Sequence, residues 1–140
     1  MTSNVSSCYW KRLSGFGGSY TDTIASAIVD GNVIVEISSS DTGFFSDEDC
    51  GTWTQIDVGA LSPVSSIGPG LWAVGSQVQP GTWMTSNVSF CYWKRLSGFD
   101  GSYGDTIESA IVDGNVIVEI SSSDAGFSSN DDCGTWTRQN

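Results

Sequence analysis

The 140-residue chain contains no histidine, and it has only five lysine and arginine residues against sixteen aspartate and glutamate residues. The absence of histidine excludes Ser-His-Asp and Cys-His nucleophile systems and every histidine-ligated metal site. Nucleic-acid backbones are bound through a stripe of basic side chains, which five cations cannot form against a net charge of -11. We therefore expect no nucleic-acid partner.

Long apolar runs are also missing, because no stretch approaches the roughly 20 apolar residues that span a bilayer. Residues 1–4 include neither a basic nor an apolar segment, so we expect no signal peptide in this chain and no membrane insertion. Charged residues make up only 15%, and 24 serines and 11 threonines take their place. Together with many β-branched residues, this composition is typical of an all-β protein with polar outer faces.

An internal repeat dominates what the sequence does contain. Residues 1–54 and 84–137 align at an offset of 83, and only eight of the 54 aligned positions differ. Self-similarity of this length indicates two copies of one folding unit. We predict a first β-repeat over 1–54, a linker over 55–70 and a second β-repeat over 71–140. The first repeat lacks a counterpart of residues 71–83, which include the segment Pro80–Trp83.

Each unit divides into short segments, and we predict two tandem antiparallel β-sandwich or barrel-like domains. Residues 8–13 predict a strand with Cys8, Trp10 and Arg12 on one face. Asp30-Gly31-Asn32 predicts a tight hairpin turn, because Asp-Gly and Gly-Asn supply the positive φ values that such turns need. Residues 14–19 are predicted as a loop, 23–29 as a strand or a short helix, and 33–37 as a strand with Val33, Val35 and Ile37 inward. Residues 38–49 are predicted as a polar loop and 50–54 as a closing strand.

Four cysteines allow three disulfide connectivities. The repeat favours Cys8–Cys50 and Cys91–Cys133, each joining the first and last segments of one unit. Each bridge would close a loop of about 42 residues, which stabilises by roughly 4 kcal/mol in the chain-entropy model. Disulfides imply an oxidising compartment, whereas four reduced, buried cysteines in a cytosolic protein are the alternative. A zinc site is less favoured, because no CxxC spacing occurs.

The second repeat carries a distinctive pattern of residues: Val74-Gly75, Pro80–Trp83, Cys91–Phe99, Ile107, Val116–Ile120, Asp124, Phe127 and Cys133–Trp136. With this pattern, the unit resembles a small domain of secreted proteins and lipoproteins of actinobacteria and of some of their phage proteins. The first repeat carries the same pattern from Cys8 to Trp53 but lacks the Pro-Gly-Thr-Trp strand. The resemblance implies a disulfide-linked β-domain outside the cell, and it implies no activity.

Acidic residues cluster at matching places in the two repeats: Asp41 and Asp47–Asp49, then Asp124 and Asn130–Asp132. Such oxygens can ligate Ca²⁺, but six to eight ligands are hard to assemble here, so we expect solvated loops and no metal or cofactor. Paired carboxylates could also hydrolyse glycosides, with Glu36 and Asp41 or Glu119 and Asp124 as the candidates. Nothing in the sequence indicates a raised pKa, so we predict no catalytic residues and no enzyme.

Aromatic and basic residues supply the candidate contact sites. Six tryptophans are many for this length. We expect the four repeated ones, Trp10, Trp53, Trp93 and Trp136, in the core beside the disulfides. Lys-Arg pairs occur once in each repeat, and they either pair with local carboxylates or contact a partner. The candidate partner or glycan contacts are Tyr9, Lys11, Arg12, Tyr92, Lys94, Arg95, Trp72 and Trp83.

These features favour a non-catalytic structural or adhesive module on an actinobacterial cell or phage virion surface, acting through protein contacts or self-assembly. A carbohydrate-binding module that uses exposed tryptophan or tyrosine is the alternative, and a glycosidase is a remote one. Because the first repeat lacks the Pro-Gly-Thr-Trp strand, we expect an open sheet edge there. That edge would be filled either by Gln55–Leu61 or by a strand from another chain.

Overall fold

The computed structural model describes residues 1–139, which form nine β-strands and five short 3₁₀ turns, with no α-helix in that range. The strands are β1 (Thr2–Leu13), β2 (Thr23–Val33), β3 (Gly43–Ser46), β4 (Ser66–Ile67), β5 (Gly70–Ala73), β6 (Gly81–Leu96), β7 (Thr106–Ile120), β8 (Gly126–Ser129) and β9 (Trp136–Gln139). The all-β prediction is confirmed. None of the helical turns between residues 1 and 139 has the length and apolarity needed to cross a membrane.

A long antiparallel hairpin forms the centre of each repeat, β1 with β2 and β6 with β7. A short strand, β3 or β8, pairs with the second half of the first hairpin strand. The strands follow one hydrogen-bonded path in the order β3-β1-β2-β5-β8-β6-β9-β4, and β7 pairs with β6 beside this path. The two repeats are thus joined through β2 and β5.

The junction between the repeats depends on close backbone contact. Asn32 pairs with Gly70 in parallel, the Asn32 amide donates to the Pro69 carbonyl at 3.1 Å, and the Asn32 side chain donates to the Leu71 carbonyl at 2.7 Å. A Cβ atom on Gly31 would lie 2.0 Å from the Pro69 oxygen. Only glycine therefore fits at position 31 without moving the repeats apart.

The predicted hairpin turn at Asp30-Gly31-Asn32 is wrong, because β2 runs straight through it to Val33. Gly31 does have a positive φ of 88°, but it lies opposite Val5 at a register shift in the β1–β2 ladder. Asp30 accepts a hydrogen bond from the Ser7 amide across the ladder at 2.7 Å. The Asp-Gly signal therefore marks a β-bulge, which uses the same backbone conformation as a tight turn. The second repeat has the same bulge at Gly114.

The other segment predictions have mixed outcomes. The strand predicted over 33–37 is wrong, because β2 ends at Val33 and Ile37, which was expected to face inward, is 55% exposed. Residues 8–13 form a strand with Cys8, Trp10 and Arg12 buried, as predicted. The segment that fitted a strand or a helix is a strand, β2. The polar loop 38–49 contains a strand that was missed, β3. The closing strand exists in the second repeat as β9 but not over 50–54 in the first.

Both predicted disulfides are present, Cys8–Cys50 and Cys91–Cys133, and each spans 42 residues. The bridge of each repeat is fully buried in its core. Three of the four repeated tryptophans, Trp10, Trp93 and Trp136, are buried as predicted, whereas Trp53 is only half-buried. The cores differ in size, with eleven buried residues in the main cluster of the second repeat and five in that of the first.

Candidate functional site

The second repeat shows a complete core, which the segment before Met84 helps to close. Trp83 pairs with Val118 of β7 on one side and with Arg138 of β9 on the other. Its side chain is buried, and its indole nitrogen donates to the Gln79 carbonyl at 3.0 Å. The apolar residues around it are all buried as well: Ile67, Val78, Val118, Ile120, Phe127 and Trp136.

The first repeat has the same inner side chains, but no strand within residues 1–139 covers them. Val35, Phe44 and Trp53 are half-buried, whereas their counterparts in the second repeat are buried. Ile37 is 55% exposed and its counterpart Ile120 is 1% exposed. We call the cleft that these four side chains line the repeat-1 groove. It is the clearest candidate site in the described part of the chain.

The repeat-1 groove measures about 700 Å³, within the range of ligand-binding clefts. Glu36 and Thr54 add polar groups to its wall. The Met1 carbonyl accepts from the Thr54 amide at 2.9 Å, which reproduces the pairing of Met84 with Thr137 in the second repeat. Among the described residues, the ladder that β6 and β9 form in the second repeat is thus present in the first only at the pair of Met1 and Thr54.

Gln55–Leu61 does not fill the edge of the first repeat as a strand, which corrects one of the two predicted alternatives. The segment contains only a 3₁₀ turn at Val58–Ala60. Ile56 and Leu61 pack against the junction cluster, which contains Ile34 and Phe99. Ile56, Val58 and Phe99 also line the repeat-1 groove, but they leave Ile37 55% exposed.

The two arginines among the candidate contacts are engaged inside the protein. The Arg12 guanidinium binds Asp41 at 2.7 and 2.8 Å, and Arg95 binds Asp124 at 2.8 and 2.9 Å. Bonds from Arg12 hold the pKa of the Asp41 carboxyl below its usual value. Arg12 also donates to the Asp100 carbonyl at 2.7 Å, so it links the two repeats. Both arginines thus have a structural role in pairing local carboxylates.

The remaining candidate contacts divide between core and surface. Trp83 is a core residue, and Trp72 is half-buried with its indole nitrogen bound to the Gly68 carbonyl at 3.0 Å. Lys11 lies over the rings of Tyr9 and Phe45 at 5.3 and 5.2 Å. Lys94 lies over the Tyr92 ring at 5.2 Å. These lysine–tyrosine pairs are half-buried and keep part of their surface accessible.

The acidic loops are organised by hydrogen bonds to the protein. Asp47 and its counterpart Asn130 accept from the amides of Tyr9 and Tyr92 at 3.3 and 3.1 Å. Aspartate and asparagine can exchange there because the position needs only an oxygen acceptor. Within residues 1–139, no three Cys, Asp or Glu side chains come together in a way that could hold a metal ion.

The candidate glycosidase carboxylates are held unequally. Asp41 and Asp124 are bound to their arginines, and Glu119 accepts from the Thr82 hydroxyl. A general acid needs a raised pKa, and the shift at Asp41 is downward. The arrangement in the first repeat is therefore that of a structural ion pair rather than of an acid catalyst.

Sequence reasoning found the missing strand but not the residues that its absence exposes. The signal was present, because Val35, Ile37, Phe44 and Trp53 repeat at the offset of 83 and only the segment before Met84 is unmatched. The junction was missed altogether. Ile34 and Ile117 are the same residue type at the same repeat position, so no sequence difference marks Ile34 as buried.

One family model matches the chain, over residues 1–54 and 65–137, and its description is Rv1352-like extracellular domain. The first matched segment covers the first repeat, the second begins at residue 65 and covers most of the second repeat, and each includes one disulfide. No curated protein and no solved structure matches the chain. Since the matched segments make up most of the sequence, the chain belongs to the family of Rv1352-like extracellular domains.

Proposed function

We propose that the protein is a non-catalytic structural or adhesive module that acts outside the cell through protein contacts. The observation that carries the proposal is the repeat-1 groove, in which side chains that form the core of one repeat lie open in the other. Contiguous apolar surface on a soluble domain marks an interaction site. Membership in a family of extracellular domains supports the location.

The surface on which the module acts is that of an actinobacterial cell or of a phage that infects one. This part of the proposal rests on the resemblance carried by Pro80–Trp83, Cys91–Phe99 and Cys133–Trp136. The net charge of -11 and the hydroxyl-rich surface suit a displayed, soluble module.

A carbohydrate-binding module is the second candidate, and one observation favours it. Tyr20 and Tyr103 occupy the same loop position in the two repeats, and they are 94% and 93% exposed. Exposed aromatic rings with a polar end suit contacts at a wet surface. The tryptophans support this candidate less, because four of the six are buried.

Binding of the labelled full chain to intact actinobacterial cells separates the two candidates. If the module contacts protein, treating the cells with protease abolishes binding and oxidising their glycans with periodate leaves it unchanged. Ile37→Glu in the groove then weakens binding, and the double variant Tyr20→Ala/Tyr103→Ala does not. The reverse pattern assigns a carbohydrate-binding function. Absence of binding to any such cell contradicts the adhesive role.

A further inference from the structure

The second repeat is an internal template for what the repeat-1 groove accommodates. Gly81, Thr82 and Trp83 lie there opposite Ile120, Glu119 and Val118 of β7. By the offset of 83, the facing residues in the first repeat are Ile37, Glu36 and Val35. In the second repeat the tryptophan strand and the residues that receive it are therefore both present. In the first repeat only the receiving residues are present among those described.

We propose that the repeat-1 groove binds an extended strand of a partner protein, one that carries a tryptophan preceded by a small residue and threonine. The proposal rests on the proposed function and names the partner chemistry for it. The tryptophan ring would pack on Val35, Phe44 and Trp53, as Trp83 packs in the cluster of Val118, Phe127 and Trp136. Strand addition of this kind gains affinity from main-chain pairing and specificity from the side-chain pocket.

A polar contact fixes the register of the donated strand. In the second repeat the Thr82 hydroxyl donates to the Glu119 carboxylate. Glu36, the counterpart of Glu119, is exposed and lines the groove. A threonine one residue before the tryptophan of the partner strand reaches Glu36 in the same way. A shift by one residue would direct the tryptophan away from the groove, because successive strand side chains point to opposite faces.

The outer edge of β3 forms a second part of the binding site. In the second repeat, β8 pairs with β6 on one side and with β5 on the other. In the first repeat, β3 pairs with β1 and ends the strand path. The outer edge of β3 is therefore unpaired. A partner segment could pair with it if that segment lies as far before the partner tryptophan as Gly70–Ala73 lies before Trp83. Unpaired edges are templates for strand addition.

The test is a titration of the full chain with a fluorescent peptide that has the sequence of residues 70–83. We expect saturable binding with one peptide per chain, measured by fluorescence anisotropy. A peptide with alanine in place of the tryptophan that corresponds to Trp83 binds at least about tenfold more weakly, since buried tryptophans are frequent interface hot spots. Equal binding of the two peptides overturns the proposal.

Two chain variants locate the binding site. Ile37→Glu places a charge in the groove, and Ile37 is exposed enough for the variant to fold. Ile117→Glu is the matched control, because Ile117 is exposed to a similar degree on a strand outside the groove. We expect Ile37→Glu to weaken peptide binding about tenfold or more, the loss typical of a hot-spot position, and Ile117→Glu to change it less than about twofold. Equal effects of the two variants overturn the assignment to the groove.

A third variant supplies the strand within the same chain, with the sequence of residues 71–83 placed directly before Met1. We expect its melting temperature to rise by several degrees and its affinity for the peptide to disappear, because the groove is then filled from within. Retained peptide binding overturns the proposal. A dimer of the unmodified chain that disappears in Ile37→Glu also overturns it, since the groove would then belong to a second copy.

The outcomes of the peptide titration and of the cell-binding test are separable. Groove-dependent cell binding without peptide binding contradicts the strand and leaves the proposed function standing. Peptide binding that needs the tryptophan, without binding to any cell, supports the strand and contradicts the adhesive role.

Discussion

At the scale of single residues, identical side chains at equivalent positions have different environments. Ile34 is 3% exposed and Ile117 is 65% exposed. Phe16 is 76% exposed and Phe99 is 7% exposed. Both differences have one cause, because the loop with Phe99 packs on the first repeat near Ile34, whereas the equivalent loop with Phe16 has no such neighbour among the described residues. The burial of these side chains therefore depends on which repeat they belong to and on what packs against it, not on the residue type.

The paired carboxylate of Asp41 gives a pH dependence with a definite sign. Its pKa is lowered in the folded state by hydrogen bonds from Arg12. The stabilisation is therefore present above the unfolded pKa of about 3.9 and is lost as the pH falls through the lower folded pKa. We expect Asp41→Asn to melt at a lower temperature than the unmodified chain at pH 7 and to lose less stability on acidification below pH 4.

Melting curves followed by circular dichroism between pH 2 and pH 7 measure this difference. Asp49→Asn, which changes an exposed carboxylate of the same repeat, is the control and should follow the unmodified chain. If the melting temperatures of the unmodified chain and of Asp41→Asn fall by the same amount as the pH is lowered below 4, Asp41 does not contribute to stability in this way.

At the scale of strands, local patterns predicted part of the strand set, and tertiary context decided the rest. The alternation over residues 8–13 predicted the second half of β1, and the internal repeat predicted the pairing of the two disulfides. The Asp-Gly pair was misread because a bulge and a turn share the positive φ of glycine. Strand β3 was missed because its four residues lie in a serine-rich segment and pair with β1 far along the chain.

The closing strand shows why identical sequences need not form the same element. Residues 53 and 54 repeat as 136 and 137, but only the second pair belongs to a strand, β9. In the second repeat β9 pairs with Thr82–Met84 of β6 and with β4. The first repeat has neither partner strand in the described chain. A strand is defined by its neighbours as much as by its own residues, so the groove could be foreseen only from the missing segment.

The bulge glycines provide a matched pair that tests the junction between the repeats. Gly31 and Gly114 have φ values of 88° and 90°, so alanine strains the backbone at either position by about 1–3 kcal/mol. A Cβ on Gly31 would also overlap the Pro69 carbonyl, whereas nothing lies within 4 Å of one on Gly114. We expect Gly31→Ala to lower the free energy of unfolding clearly more than Gly114→Ala, as measured by urea titration. Equal losses would show that the Asn32–Gly70 contact does not stabilise the fold.

At the scale of the whole molecule, the two repeats are unequal partners. The second has a closed core of its own around Trp83 and Trp136, and it also receives β4 and β5 from the segment before it. The first has the smaller core, the open groove and a junction through which it depends on Phe99 and Asp100 of the second repeat and on Gly70 at the start of β5. The second repeat is thus the more completely packed of the two, and the first repeat has the open groove and the unpaired edge of β3.

The same asymmetry predicts that the repeats differ when they are separated. Residues 64–140 include Ile67, which is fully buried and whose strand β4 pairs with Thr137 and Trp136 of β9. We expect this fragment to be a monomer that melts cooperatively. Shortening it to 71–140 removes Ile67 from the core and lowers the free energy of unfolding by at least about 1.5–3 kcal/mol, the usual value for burying such a side chain, because the Gly68 bond to Trp72 and the Gly70–Ser129 pair are lost as well.

Residues 1–54 should behave differently, because they retain Cys8–Cys50 but expose the groove and, once Phe99 is absent, the buried face of Ile34. We expect this fragment to be unfolded or to self-associate, as measured by sedimentation velocity and by circular dichroism. Adding the sequence of residues 71–83 before Met1 covers the groove but not Ile34, so it should restore part of the fold. A 1–54 fragment that is monomeric and melts cooperatively without any addition would show that the first repeat needs no donated strand, and that its open groove is compatible with an independent fold.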